Sequence, residues 1–248
     1  MRRAALLLVA LAVAGCGDDG GASASPRLVV SAAASMTEAL NACSPSFADA
    51  DVRLSFGGSD ELAAQIRQGV KPDVYAAANP KLPDALHAEG LLSEPVRFAT
   101  NTFVLAVPND SKIDSIGDLT AKGVKLAIGS ESVPIGSYTH ETLAKLPAAR
   151  SKAILANVRS NEPDVKGIVG KLTQGAVDAG FVYLTDVNAT GGELEAVELP
   201  PAVEPQVTYA AGIVRGAKRP DVARRYIDGL RRGACADALG RAGFGPAP

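Results

Sequence analysis

The chain has 248 residues, with 25 Lys and Arg against 27 Asp and Glu and a formal net charge of −2. No basic block of the kind that grips nucleic acid is present, and the length suffices for a large core in one compact body or two lobes. Aromatic residues make up 4% and Trp is absent, which argues against a site that holds sugars or other large organic ligands on aromatic faces.

The first residues, Met1-Arg-Arg and an apolar stretch over 4–14, have the charged and apolar regions of an export signal, too short to span a bilayer. Residues 1–15 are therefore expected to be a lipoprotein signal peptide. Val13-Ala-Gly-Cys16 resembles a bacterial lipobox, which implies cleavage before Cys16, acylation of that cysteine and anchoring at the outer face of the cell membrane. The mature chain would keep 233 residues, 23 basic and 27 acidic. Residues 16–26, rich in Gly, Ser, Ala and Asp, form a flexible tether. With Cys16 assigned to lipid, Cys43 and Cys235 remain in a disulfide-permissive setting. They are either bonded, tying the first helix to the last, or two buried thiols.

Folding is expected to begin near Arg27. Residues 28–34 are an uncharged run of small and β-branched side chains, suited to a strand buried on both faces. Ser35 ends it, and with Glu38 it spells an S-x-x-E capping box that opens a helix. Residues 52–56 read as a strand, and Gly57-Gly-Ser-Asp-Glu-Leu opens a second helix at Ser59. Lys71-Pro-Asp turns into a buried strand over 74–77, and Asn79-Pro80 caps a helix that runs to Glu89 and stops at Gly90. A broken β-region follows over 98–101 and 103–107, then a short helix around 115–119. Residues 125–128 form a strand, and Pro134-Ile-Gly opens a helix reaching about Lys145. Residues 148–156 are helical, Val158 is a short strand, and Asn161-Glu-Pro-Asp164 starts a helix over 165–174. Residues 179–183, 194–198 and 207–214 are strands, and 220–230 and 235–241 are closing helices.

Strands and helices alternate with short connections, which predicts an α/β fold with mainly parallel sheets. The chain crosses between halves twice, so two lobes are expected: residues 27–102 with 208–248, and residues 103–207 inserted between them. Helix openings from both lobes then face one cleft. Ser35, Ser59, the amides near Ile135 and Val165, and the Tyr183 phenol all donate hydrogen bonds without carrying charge. A fully ionised tetrahedral oxyanion has only acceptors, so such a set can enclose it with no protein group left unpaired. Serines at helix openings also serve as ordinary caps, and Tyr183 also suits a buried strand.

These residues resemble the molybdate-binding proteins of bacterial ABC transporters, which have the type II periplasmic binding protein fold. The likeness spans about residues 27–244. It is carried by Ala32-Ala-Ala-Ser-Met-Thr-Glu-Ala, Ser55-Phe-Gly-Gly-Ser-Asp-Glu-Leu-Ala, Lys71-Pro-Asp-Val-Tyr-Ala-Ala-Ala, Val133-Pro-Ile-Gly, Asp164-Val165 and Gly180-Phe-Val-Tyr183. It implies that Ser35 and Ser59 give hydroxyl and amide donors, Ile135 and Val165 give amides, and Tyr183 gives its phenol. It further implies a monomeric, non-enzymatic receptor whose lobes close on molybdate or tungstate by a hinge motion and which docks on an ABC permease, without a cofactor or a direct cation ligand. Ile135 stands where the family commonly has a smaller residue and would narrow the pocket. Asp60 is expected to point away from the anion.

The nearest alternative is a receptor for sulfate or thiosulfate. Phosphate is disfavoured because a protonated oxyanion needs an acceptor, for which only Asp60 is available. A hydrolase using Ser35 or Ser59 requires a base in reach. His87 and His140 stand alone in polar helical contexts, and Gly57-Gly-Ser-Asp-Glu departs from the G-x-S-x-G elbow at its last position.

Overall fold

The computed structural model describes residues 25–248. The expected signal peptide, the lipidated Cys16 and all but the last two residues of the tether lie outside the described residues. Among the described residues ten strands form two sheets of five. The first contains β1 (Arg27–Ala33), β2 (Asp51–Gly57), β3 (Val74–Ala77), β4 (Val96–Asn101) and, from near the other end of the chain, β10 (Val207–Ile213). Its order is β2-β1-β3-β10-β4. The second contains β5 (Phe103–Pro108), β6 (Leu126–Gly129), β7 (Val158–Glu162), β8 (Ala179–Tyr183) and β9 (Leu194–Val197), in the order β7-β6-β8-β5-β9. Thr102 alone separates β4 from β5, and residues 198–206 bring the chain back from β9 to β10.

Position in the sheet explains the side chains. β1 lies inside its sheet and is buried at Leu28 and from Val30 onward, while the edge strand β2 alternates exposed Asp51, Arg53 and Ser55 with half-buried Val52, Leu54 and Phe56. That alternation is what one covered face requires. β1 runs parallel to β2 and β3, whereas β10 is antiparallel to both β3 and β4. The second sheet has the same division, with β6 parallel to β7 and β8 and β5 antiparallel to β8 and β9. The sheets are thus mixed rather than mainly parallel. The reason is topological: β5 and β10 follow the two crossings and enter their sheets against the direction set by the βαβ units.

Helices α1 (Thr37–Cys43), α2 (Ser59–Arg67), α3 (Lys81–Ala88), α8 (Pro220–Arg231) and α9 (Ala234–Ala242) belong to the first lobe. Helices α4 (Pro134–Ala144), α5 (Ala148–Leu155), α6 (Val165–Thr173) and α7 (Leu184–Asn188) belong to the second. The short α7 was not expected from the sequence, and residues 115–119 form only a 3-10 turn at Asp118–Thr120. Among the described residues no helix is long and apolar enough to cross a membrane.

One polar and one covalent tie hold the first lobe. Asp73 is 5% exposed and accepts from the Val29 and Lys218 amides, each at 2.9 Å, joining β1 to the segment after β10. Cys43 and Cys235 are bonded across 192 residues, linking α1 to α9. Beside this bond Phe47 packs edge-on against Tyr226 at 5.3 Å, and the Tyr226 hydroxyl pairs with Ser44 Oγ at 2.9 Å. A crosslink closing so long a loop restricts the unfolded chain strongly. Replacing both cysteines with alanine is expected to lower the unfolding free energy by about 2–4 kcal/mol in urea titrations. A loss below about 0.5 kcal/mol would show that the bond adds little to what α1 and α9 gain by packing.

Candidate functional site

From the first lobe, the site is built where β1 and β2 end. β1 passes into a 3-10 turn at Ala34–Met36 before α1, and no side-chain cap forms at either start. The expected capping box is therefore absent. Ser35 Oγ instead lies 2.8 Å from the Tyr209 hydroxyl, and both Glu38 oxygens accept from Lys166 Nζ at 2.9 Å. The physical reason is burial: Ser35 is 4% exposed and Tyr209 fully buried, so a phenol with no water to turn to claims the serine. Ser59 is likewise not a cap. It is the first residue of α2, behind Gly58, and its Oγ accepts from the Ala78 amide at 3.2 Å. Its carbonyl accepts from the Tyr75 hydroxyl at 2.6 Å.

From the second lobe, α4 opens at Pro134, with Ile135 second and Gly136 third. A Cβ on Gly136 would stand 1.9 Å from the Ser130 carbonyl oxygen, so only glycine lets this turn close on the loop before it. Asp164 caps α6 by accepting from the Gly167 amide at 3.1 Å, as its start signal predicted, and Val165 follows as the first helical residue. Tyr183 ends β8 at 1% exposure, and its phenol has no hydrogen-bond partner among the described residues. Burial, reinforced by Tyr209, Tyr138 and Asp186, pushes Tyr183 well above the usual tyrosine range, so it stays O–H.

Ser35, Ser59, Ile135, Val165 and Tyr183 line one cavity between the lobes. It measures about 20 Å³ where one water needs about 10–15 Å³, room for a compact ion and too little for a sugar or peptide. The lining contains no Lys, Arg or His. Asp164 is the one carboxylate in the lining, and its Oδ1 accepts from the Gly167 amide at the cap. Asp60 is outside the lining; its Oδ1 is buried without a hydrogen-bond partner among the described residues, and its charge helps burial raise the Tyr75 phenol. The lobes come close at Gly58, where a Cβ would meet the Pro163 carbonyl oxygen at 2.5 Å.

A second polar cluster spans the lobes beside this cavity. Lys166 Nζ sits 2.9 Å from Glu38 of the first lobe and 3.2 Å from Asp186 of the second. Burial alone would lower Lys166, but Asp186 and Glu38 outweigh it and raise the ammonium. Asp186 is buried to the point that desolvation pushes its carboxyl up to about 7 even with Lys166 beside it.

Tyr209, Asn101, the Ala78 amide and the Lys166–Asp186 pair were not recognised in the sequence. A signal existed for Tyr209, a phenol placed inside a strand that otherwise reads as buried, because a buried tyrosine must find a partner for its hydroxyl. Nothing local announces the others.

Over residues 28–245 the chain matches the family described as bacterial extracellular solute-binding proteins. It is 31% identical to the molybdate-binding protein ModA of Mycobacterium tuberculosis, over 97% of this chain and 94% of that protein. Among solved structures, the periplasmic molybdate-binding protein of Azotobacter vinelandii superposes with a TM-score of 0.77 at 20% identity, covering 88% of this chain and 98% of that one. The sulfate-binding protein SubI of Mycobacterium tuberculosis also gives 0.77, at 14% identity over 89% of this chain and 87% of that one. At these identities the two structures establish the shared fold alone.

Asp186 sets a pH dependence of stability. In the folded chain it keeps its proton up to about pH 7, against a starting value of 3.8. Between those values the unfolded chain binds fewer protons, so stability falls as pH rises, by at most about 1.4 kcal/mol per pH unit, and levels off above. The stability of Asp186→Asn relative to the parent is therefore expected to increase from pH 5 to pH 7.5 in denaturant titrations. A difference that does not change with pH would refute this.

Proposed function

Because this chain belongs to the bacterial extracellular solute-binding proteins, we propose that it is a receptor that closes its two lobes on molybdate or tungstate. It then hands the ion to an ABC permease. The observation that carries the proposal is the convergence on one small cavity of neutral donors from five separated parts of the chain. Ser35 and Ser59 bring hydroxyls and amides, α4 and α6 bring the amides of Ile135 and Val165, and Tyr183 brings a phenol held as O–H. Each hydrogen bond to a charged acceptor is worth about 1.5–3 kcal/mol. Several together can replace the hydration of a dianion without a protein cation, which the lining lacks. The helical N-terminal turns of α2, α4 and α6 add positive dipole ends.

The kinship with ModA supports molybdate among oxyanions. A rigid donor cage fits one radius best, so the longer metal–oxygen bonds of molybdate and tungstate would let such a site tell them from sulfate. The close approach of Gly58 to Pro163 supports a lobe interface without a gap. A hydrolase is not favoured: Ser35 Oγ pairs with the Tyr209 hydroxyl and Ser59 Oγ accepts from the Ala78 amide, and neither partner is a general base. In this proposal the receptor acts as a monomer outside the cytoplasm, tethered through lipid on Cys16.

Calorimetric titration of the purified protein is expected to give tight binding of molybdate and tungstate and weak binding of sulfate and phosphate. Ser35→Ala and Ser59→Ala should each weaken molybdate by about 1.5–3 kcal/mol with the fold intact. Preference for sulfate would change the ligand and keep the site, and unchanged affinity in both variants would overturn the site. Gly58→Ala, which pushes a methyl group into the Pro163 carbonyl, should weaken all bound oxyanions together.

A further inference from the structure

Two serine hydroxyls face the cavity from the first lobe, and a hydroxyl can either donate to an anion or accept from it. What each does is decided by its protein partner. Ser59 Oγ already accepts from the Ala78 amide at 3.2 Å, which leaves its hydrogen for the cavity. Ser35 is less obvious, since its partner Tyr209 is another hydroxyl.

Asn101 resolves it. Its Oδ1 accepts from the Thr102 amide at 2.9 Å, which turns Nδ2 toward Thr185 Oγ1 at 2.9 Å and the Tyr209 oxygen at 3.4 Å. An amide nitrogen only donates, so Tyr209 accepts from Asn101 and keeps its own hydrogen to give. Tyr209 is fully buried, and its other hydrogen-bond partner is Ser35 Oγ at 2.8 Å. Leaving that phenolic hydrogen unpaired would cost about 1–3 kcal/mol, so it goes to Ser35. Burial also keeps the phenol protonated.

We propose that, within the oxyanion site described above, Asn101 and Tyr209 are positioning residues. They form a one-way chain of donors, Asn101 to Tyr209 to Ser35, that turns the Ser35 hydrogen into the cavity and so selects against a protonated ligand oxygen at that hydroxyl. With the Ser35 and Ser59 hydrogens both aimed inward, a protonated oxygen of the ligand meets donor against donor at both hydroxyls. Thr185 lies in α7 of the second lobe, so the chain's anchor bridges the lobes at the Thr102 crossing.

The test compares molybdate with arsenate at pH 8, where both are tetrahedral dianions and only arsenate carries a proton. Tyr209→Phe keeps the ring against Phe98 and Phe244 but frees Ser35 to accept. Asn101→Asp keeps the shape, replaces the donor with an acceptor and reverses the chain. Its added charge acts alike on two dianions and leaves their ratio unaffected. In calorimetric titrations of the full chain, each variant is expected to raise the Kd for molybdate about tenfold while changing that for arsenate less than about threefold. The preference is measured within one sample of each variant, so partial loss of folded protein does not alter it. Equal weakening of both anions in both variants would overturn the positioning role and leave the oxyanion site standing. A parent protein that binds neither molybdate nor tungstate would overturn the site and the chain of donors together.

Discussion

The hydrogen bond between Ser35 and Tyr209 joins segments 174 residues apart, and the arrangement of the site depends on it. Tyr209 stands on the strand that returns from the second lobe, Ser35 on the turn that leaves the first strand, and Asn101 at the point where the chain first crosses. Rings from both lobes close around the phenol, with Phe244 at 5.2 Å, Tyr183 at 6.0 Å and Phe98 at 6.1 Å. The aromatic packing excludes water, and the exclusion of water is what makes the hydroxyl pairing obligatory. The cavity wall and the crossings between the lobes are therefore one piece of structure.

Charge is handled in two different ways side by side. In the cavity, neutral hydroxyls and amides converge. A short distance away, one lysine stands between two carboxylates, one exposed and one buried. The lysine's charge is thereby balanced within the protein. Because Glu38 and Lys166 belong to opposite lobes, the same ion pair contributes to holding the lobes together, although the exposure of Glu38 keeps that contribution modest.

Much of the architecture was legible from periodicity. The alternation of strands and helices, the starts at Pro134 and Asp164 and the stop at Gly90 depend on neighbours a few residues away, and those appear where the residue types place them. Residues 35, 59, 135, 165 and 183 could be brought together because each sits just past a strand or at a helix start, where an α/β fold collects its loops. What stayed hidden was non-local. The pattern Ser35-x-x-Glu38 spells a capping box, yet the serine is taken by Tyr209 and the glutamate by Lys166. Pairing direction is equally invisible from one strand alone, hence the antiparallel entry of β5 and β10. Helix α7, Leu-Thr-Asp-Val-Asn, is too short and too rich in poor helix formers to announce itself, and its contacts are non-local: Asp186 lies 3.2 Å from Lys166 and Thr185 accepts from Asn101.

The placement of β10 between β3 and β4 governs the order in which the protein can finish itself. A chain that emerges amino end first has all of the second sheet in hand before β10 exists, and that sheet is continuous in sequence. At the same moment β4, whose only sheet neighbour is β10, has an unpaired edge on both sides. Cys43 still waits for Cys235. The inserted lobe is thus the first to reach completion, and the lobe that contains the chain's beginning is the last. A chain cut short before residue 207 would present a finished second lobe beside an open sheet, the form most exposed to misassembly through its strand edges.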